Sequence, residues 1–314
     1  MTGVTARVPA KLNLQLAVGP PRADGYHDLV TVFHAVSLFD QVTVEPAGRD
    51  GITVTGEGAD RVPADQDNLA LRAIEALRAA VPDRGTAAVH VTIAKRIPVA
   101  AGLAGGSADA AAALVACNEL WATGLTQPQL CGIGATVGSD VAFALLGGTA
   151  VGRGRGEQLT PALAPATQYH WVLAFADGQL STPAVYAALD RLRAARPAVP
   201  AGSEVAAAAE PDLDAALMSA LRTGDAARVG QRLSNDLQPA AVSLFPALRK
   251  TLAAGLELGA LGALVAGSGP TCAFLAANAE RALELAVSLS GAGVCRSVAR
   301  VAGPVPGAAV VTAG

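Results

Sequence analysis

The segment Pro98–Ala108 reads PVAAGLAGGSA and runs straight into alanine-rich chain, with no polar loop between them. Glycines ahead of a helix let backbone N–H groups turn toward one point, and the helix N-terminus adds partial positive charge. Together they make a site for phosphate oxygens. A close-packed loop that needs glycine only for steric room would read the same way. No GxxxxGK[ST] sequence occurs, and no GxGxxG follows a strand, so neither a Walker loop nor a dinucleotide fingerprint is present.

Phosphoryl transfer needs a phosphate cradle, a cation for the developing charge and an acceptor for the hydroxyl proton. Lys11 in PAKLNL is a candidate cation, although taken singly it reads as a solvated strand lysine. Asp140 in GSDV reads either as a helix N-cap or as a carboxylate held beside a reacting centre. Ser107 and Asp109, in the first turn after the glycines, read as a capping serine and an acid favoured by the helix dipole. Tyr26 and His27 follow an Asp-Gly turn; such a pair is ordinary packing, or a ring and an imidazole that stack on and hydrogen-bond a base. His34 in VFHAV reads as a satisfied sheet residue, and GSGPT (Gly267–Thr271) as a tight turn or a second phosphate-facing loop.

These residues need elements to carry them. From Ala10 to Leu16 apolar and polar residues alternate, predicting a half-buried strand with Lys11, Asn13 and Gln15 on its polar face. PPRADGYH is a turn centred on Asp24-Gly25, and 29–44 reads as two strands. Strands are expected at 51–56 and 89–94, with a helix between them capped by Asp67 or Asn68. A second helical stretch covers 127–136, and 149–158 reads as a glycine-rich strand or hairpin. The pattern relaxes at Pro161–Thr167, the expected domain boundary. A strand follows at 171–175, a Pro/Ala-rich linker at 194–215, helices to Leu258, and strands at 263–266 and 271–275.

Composition sets outer limits. The chain has 314 residues, a soft prior for two domains at roughly 150 residues each. Hydrophobic residues make up 52 % and aromatics 4 %, so the expected core is built from small side chains. The net charge is −3 with no basic run, which argues against a nucleic-acid partner. Four scattered cysteines without a CxxC pair suggest reduced core thiols and a cytoplasmic setting. The uncharged run from Leu258 to Ala279 is interrupted by AGSGPT, so no membrane span is expected.

PAKLNL (Pro9–Leu14), PVAAGLAGGSADAA (Pro98–Ala111) and AGSGPTCAFL (Ala266–Leu275) resemble the three motifs of the GHMP kinases. Adding RADGYH, GSDV and SNDL (Ser234–Leu237), the chain is similar to the branch whose acceptor is 4-diphosphocytidyl-2-C-methyl-D-erythritol. The resemblance implies an α+β fold of two domains: residues 1–163, an ATP-binding domain of the ribosomal protein S5 domain 2-like type, and residues 164–314, a ferredoxin-like domain. It implies an ATP- and Mg²⁺-dependent kinase of a small molecule, monomeric or homodimeric, with no nucleic-acid or membrane partner.

By motif position Asp140 is the catalytic base and Lys11 its partner. The ATP-binding residues are then Asn68, on the adenine side, with Pro98, Val99, Ala100, Ala101, Gly102, Leu103, Ala104, Gly105, Gly106, Ser107 and Ala108 around the triphosphate. Gly267, Ser268 and Gly269 form the further phosphate-facing loop. Asn13 and Thr182 contact the acceptor, and Tyr26, His27 and Tyr186 bind its cytosine between two rings. The chain departs from the family at Ala100, Ala101 and Ala104, where glycines are common, at Ala142 after GSDV in place of proline, and at Gln238 after SNDL in place of an acid.

Overall fold

The computed structural model describes residues 3–162, 167–195 and 210–311. The expected boundary between 163 and 164 and most of the Pro/Ala-rich stretch 194–215 lie outside the described residues. The first half contains β1 (Val4–Pro21), β2 (His27–Pro46), β3 (Gly51–Gly56), α1 (Leu69–Ala80), β4 (Val89–Lys95), α2 (Gly105–Leu120), α3 (Gln127–Val137), α4 (Val141–Leu146), β5 (Thr149–Arg153) and β6 (Gln158–Pro161). The second half contains β7 (Tyr169–Phe175), α5 (Thr182–Ala194), α6 (Ala215–Thr223), α7 (Ala226–Arg232), β8 (Ser234–Asn235), α8 (Gln238–Leu244), α9 (Ala247–Glu257), β9 (Gly262–Val265), β10 (Cys272–Ala276), α10 (Ala279–Gly291), β11 (Ser297–Gly303) and β12 (Ala309–Val310).

One sheet runs β12-β1-β2-β4-β3, with β5 on β2, β6 on β5, and β8 parallel to β1. The other is an antiparallel sheet in the order β11-β7-β10-β9. Residues 29–44, which read as two strands, lie in the single strand β2. Bulges in the β1–β2 ladder, between Pro9/Ala10, Asn13/Gln15 and Val18/Pro21, absorb the break in alternation without ending the pairing.

Helix α2 is the central buried helix. Ala110 to Leu114 are fully buried, and their small side chains let α2 pack closely on its neighbours, as the composition predicts. Alternate residues of β7 serve two cores: Trp171, Leu173 and Phe175 join the one around α2, while Val172 and Ala174 pack with residues of α5, α8 and α10. The cysteines are free, and burial pushes the thiols of Cys117 and Cys272 up to about 12, leaving them inert. Among the described residues no helix is long and apolar enough to cross a membrane.

The half-buried strand expected around Lys11 is buried on both faces. Lys11, Asn13 and Gln15 are all buried, because the second half of the chain roofs the polar side of β1. Gln15 donates through Nε2 to the Asp212 carbonyl (2.7 Å) and accepts from the Asp214 N–H (3.0 Å). Asn13 Nδ2 donates to Thr31 Oγ1 at 2.8 Å. His34 is only half satisfied. Its Nδ1 meets Thr149 Oγ1 at 2.8 Å, Nε2 has no partner, and burial pushes the imidazole down to about 3, so it is neutral.

Candidate active site

The chain between β4 and α2 is a loop held by left-handed turns at Ala100 (φ 54°), Gly102 (φ 78°) and Ala104 (φ 59°). A left-handed alanine costs about 1–2 kcal/mol relative to its ordinary conformation, so the two alanines keep this shape against local preference. Gly102 has no alternative, since a Cβ there would lie 2.0 Å from the Ala266 carbonyl oxygen. That contact joins the two glycine-containing loops. Gly267 lies against Gly102 from the other side, and a Cβ on it would come within 3.3 Å of Lys11 Nζ. The first turn of α2 then presents Gly105, Gly106 and Ser107 to the cavity.

Ser107 is not the cap of α2. Ala104 holds that position without a side-chain hydrogen bond, and Ser107 lies in the first turn facing the cleft. Asp140 stands at the N-cap position of α4 but makes no capping bond with its side chain. Its Oδ2 lies 3.6 Å from Lys11 Nζ, which also donates to Asn13 Oδ1 at 2.7 Å. Residues far apart in sequence thus meet on β1 and at the start of α4. They share a cavity of about 340 Å³ with Thr31, Ala100–Gly102, Ala104–Ser107, Thr182, Gly267 and Ser268.

A second cavity of about 660 Å³ adjoins it, the two sharing Leu29, Ser139, Arg155, Thr182 and Tyr186. Tyr26, 55 % exposed, stands on its wall with the Arg155 guanidinium 5.3 Å from the ring centroid. His27 is buried, 5.0 Å from the Tyr186 ring, and its Nε2 is 3.0 Å from Asp190 Oδ1. Burial, with the negative charge of Asp140 adding to it, pushes the Tyr186 phenol up to about 12, so it remains a neutral donor. Arg72 and Arg155 both line this cavity, and neither forms an ion pair among the described residues. Neither arginine stands out in the sequence, one lying inside an amphipathic helix and the other in a glycine-rich hairpin.

Other expected site residues lie elsewhere. Asn68 caps α1, accepting from the Ala70 N–H at 2.9 Å and donating to the Pro63 carbonyl at 2.7 Å; its neighbour Leu69 forms the cavity wall. Pro98 and Val99 face a separate cavity of about 120 Å³ beside Phe175 and Arg296. Leu103 and Ala108 are buried, and the Leu103 carbonyl accepts from the Lys11 N–H at 3.3 Å. Gly269 closes the turn of the second loop by donating to the Ala266 carbonyl.

The SNDL segment holds that second loop. Asn235 Nδ2 donates to the carbonyls of Val265 and Gly267, both at 2.7 Å. Gln238, the departure from the family pattern, accepts the Val265 N–H at 2.9 Å and so anchors the end of β9. Thr182 adds a side-chain bond to Ser268 at 2.8 Å.

Two long paired strands, a buried central helix, glycine-containing loops facing one another and a lysine–carboxylate pair in the cleft define a GHMP kinase fold. The chain matches the family model of the GHMP kinases N terminal domain over residues 68–148 and that of the GHMP kinases C terminal over residues 217–295. It is 55 % identical, over 99 % of both chains, to 4-diphosphocytidyl-2-C-methyl-D-erythritol kinase of Thermobifida fusca (strain YX). A crystal structure of 4-(cytidine 5'-diphospho)-2C-methyl-D-erythritol kinase superposes with a TM-score of 0.72 at 33 % identity, covering 95 % of this chain and 98 % of that one. Homoserine kinase from Cytophaga hutchinsonii superposes with the same TM-score, 0.72, at 18 % identity, over 99 % of this chain and 98 % of that one, a likeness of fold alone. The chain belongs to the 4-diphosphocytidyl-2-C-methyl-D-erythritol kinase family of the GHMP kinases.

Proposed function

We propose that the chain transfers the γ-phosphoryl group of ATP to the 2-hydroxyl of 4-diphosphocytidyl-2-C-methyl-D-erythritol, giving the 2-phosphate and ADP in the non-mevalonate route to isoprenoid precursors. The observation that carries this reading is the Lys11–Asp140 pair, 3.6 Å apart, facing a backbone-built phosphate cradle where two cavities join. The smaller cavity suits the triphosphate and the reacting hydroxyl. The larger has an exposed tyrosine, a second aromatic wall and two arginines, which suit a base followed by a diphosphate. The division into residues 1–163 and 164–314 belongs to the same proposal, the cleft lying between the two units.

Each side chain has a task. Asp140 accepts the proton of the attacking hydroxyl, and Lys11 beside it offsets negative charge on that oxygen and on the transferring group. Asn13, held by Thr31, fixes the Lys11 ammonium and reaches toward the erythritol end. The N–H groups of Ala100–Gly102 and Gly105–Ser107 hold β- and γ-phosphate oxygens, and the Gly267–Gly269 turn closes on them from the other side. Asn68 supports the adenine side through the start of α1. Among the described residues no three His, Cys, Asp or Glu side chains converge as a metal cage. A magnesium ion bound with the nucleotide would neutralise developing charge on the phosphates, with Ser107 and Asp140 among the oxygen-bearing side chains of the cavity that could face it.

The test is a phosphate-transfer assay with purified protein and three acceptors: the cytidyl substrate, homoserine and mevalonate. Transfer to the cytidyl substrate alone is expected, because the other two have no base for Tyr26, His27 and Tyr186. Preferred transfer to either small alcohol overturns the acceptor assignment and leaves the kinase fold standing.

A further inference from the structure

Beneath the phosphate cradle lie three buried charged side chains that the chemistry above does not use. Lys95, the last residue of β4, donates to Asp40 on β2 and, at 2.7 Å, to Oδ2 of Asp109 on α2. The other oxygen of Asp40 accepts the N–H groups of Arg96 (2.5 Å) and Ile97 (2.8 Å), the two residues that lead into the glycine-rich loop. On the far side of the loop, a Cβ on Gly105 would come within 3.1 Å of Lys95 Nζ, so the ammonium sits directly under the first residue of α2. The trio therefore contacts the chain that leads into the cradle and lies beneath Gly105, without itself lining the cavity. A surface salt bridge could be lost at little cost, but removing one partner here leaves an uncompensated buried charge.

We propose that Asp40, Lys95 and Asp109 are positioning residues that set the spacing of the two loop ends, and that nucleotide affinity, rather than the transfer step, depends on their charge balance. The inference rests on the reading of Pro98–Ala108 as the ATP cradle. A further observation gives it a sign. Asp109 Oδ1 is buried with no hydrogen-bond partner, an arrangement a neutral carboxyl tolerates better than a carboxylate. Burial pushes the Asp109 carboxyl up to about 8 against the pull of Lys95, with Asp40 adding to the rise. Burial also opposes the charge of Lys95, but the two carboxylates outweigh it and hold the ammonium above its ordinary range. Lys95 from β4 and Asp40 from β2 are the charged groups acting on Asp109 among the described residues. As pH rises past about 8, Asp109 is expected to ionise and to place an unbalanced negative charge beneath the amides of the proposed cradle.

The experiment is equilibrium titration of the full chain with Mg-ADP, without acceptor, from about pH 7.5, where the ADP phosphates are already ionised, to about pH 9.5. Wild-type affinity is expected to weaken several-fold over this range. Asp109→Asn, which keeps an acceptor for Lys95, is expected to bind within about twofold of wild type at pH 7.5 and to lose the alkaline weakening. Lys95→Met is expected to weaken ADP binding about tenfold or more at pH 7.5, with kcat at saturating ATP and the KM for the acceptor much less affected. An alkaline weakening of the same size in Asp109→Asn overturns the proposal, as does unchanged ADP affinity in a folded Lys95→Met protein. If Lys95→Met does not fold, Asp109→Asn decides alone. Because no acceptor is present, an error in the acceptor assignment leaves this result untouched, whereas absence of ADP binding in wild type sinks the cradle reading itself.

Discussion

The two ends of the cleft are built from different materials. The end proposed for the nucleotide is mostly backbone: left-handed turns at Ala100, Gly102 and Ala104, a second loop held by Asn235, Gln238 and Thr182, and a helix start. The end proposed for the acceptor is mostly side chain: Tyr26 standing exposed, Arg155 over its ring, and Arg72 and Tyr186 around a wide cavity. Backbone amides have one geometry, set by the fold, which suits a group as invariant as a phosphate. Side chains can be exchanged without refolding the chain. The likeness to homoserine kinase, at 18 % identity, is one of fold and leaves such side chains free to differ.

Substitutions can break or sharpen that contrast. The largest effect is expected where the two ends meet. Asp140→Asn should lower kcat by about 10²–10⁴-fold, the range for a general base, with the KM for ATP nearly unchanged; steady-state kinetics on both substrates check this, and near-normal turnover removes Asp140 as the base. Next, Gly102→Ala should disturb the backbone end as a unit. The added methyl costs about 1–2 kcal/mol for the left-handed turn alone, and it also meets the Ala266 carbonyl oxygen at 2.0 Å. Thermal unfolding should therefore shift downward while the KM for ATP rises, and an unchanged Tm would show that the loops part easily.

At the acceptor end, Tyr26→Ala and Arg155→Ala should each raise the KM for the cytidyl substrate. For Tyr26 the loss of one stacked face corresponds to about 1–3 kcal/mol, or roughly 5- to 150-fold. The fold stability and the KM for ATP should stay near wild type, and equal effects on both substrates would erase the contrast. The smallest effect is expected for Ala104→Gly. Relief of the left-handed turn, about 1–2 kcal/mol, is largely offset by the backbone freedom glycine adds, about 0.5–1 kcal/mol. Denaturant unfolding should show a slight gain in stability, and a clear loss would mean that the Ala104 methyl makes packing contacts of its own.

The glycine loop and the helix it runs into were legible in the sequence, because glycines followed directly by alanines mark a tight turn into a helix, although the same pattern serves close packing as well as phosphate. The convergence of Lys11 with Asp140 was not: spacing along a chain says nothing of which strand a distant helix start will face, and only the family motifs supplied it. Lys11 itself read as solvated since strict alternation marks a polar face without saying what covers it. The buried trio was missed for a related reason, as each member taken alone looks like an ordinary charge at a strand end or in a first helical turn. A signal was present. Asp40 shares the inward phase of Val42 and Val44 on β2, and Lys95 that of Val91 and Ile93 on β4, so both charges fall where the period calls for apolar residues. A charge in the buried phase of one strand calls for a partner in the buried phase of another.

The first strand of the molecule is also a seam. Besides β2 it pairs with β8 and with β12, both from the far half of the chain, and β8 itself carries Asn235, whose side chain secures the Gly267–Gly269 turn. Rotating one unit against the other about a single flexible joint would tear these pairings. The spacing of the two halves along β1 is accordingly set by main-chain pairing and not by a hinge.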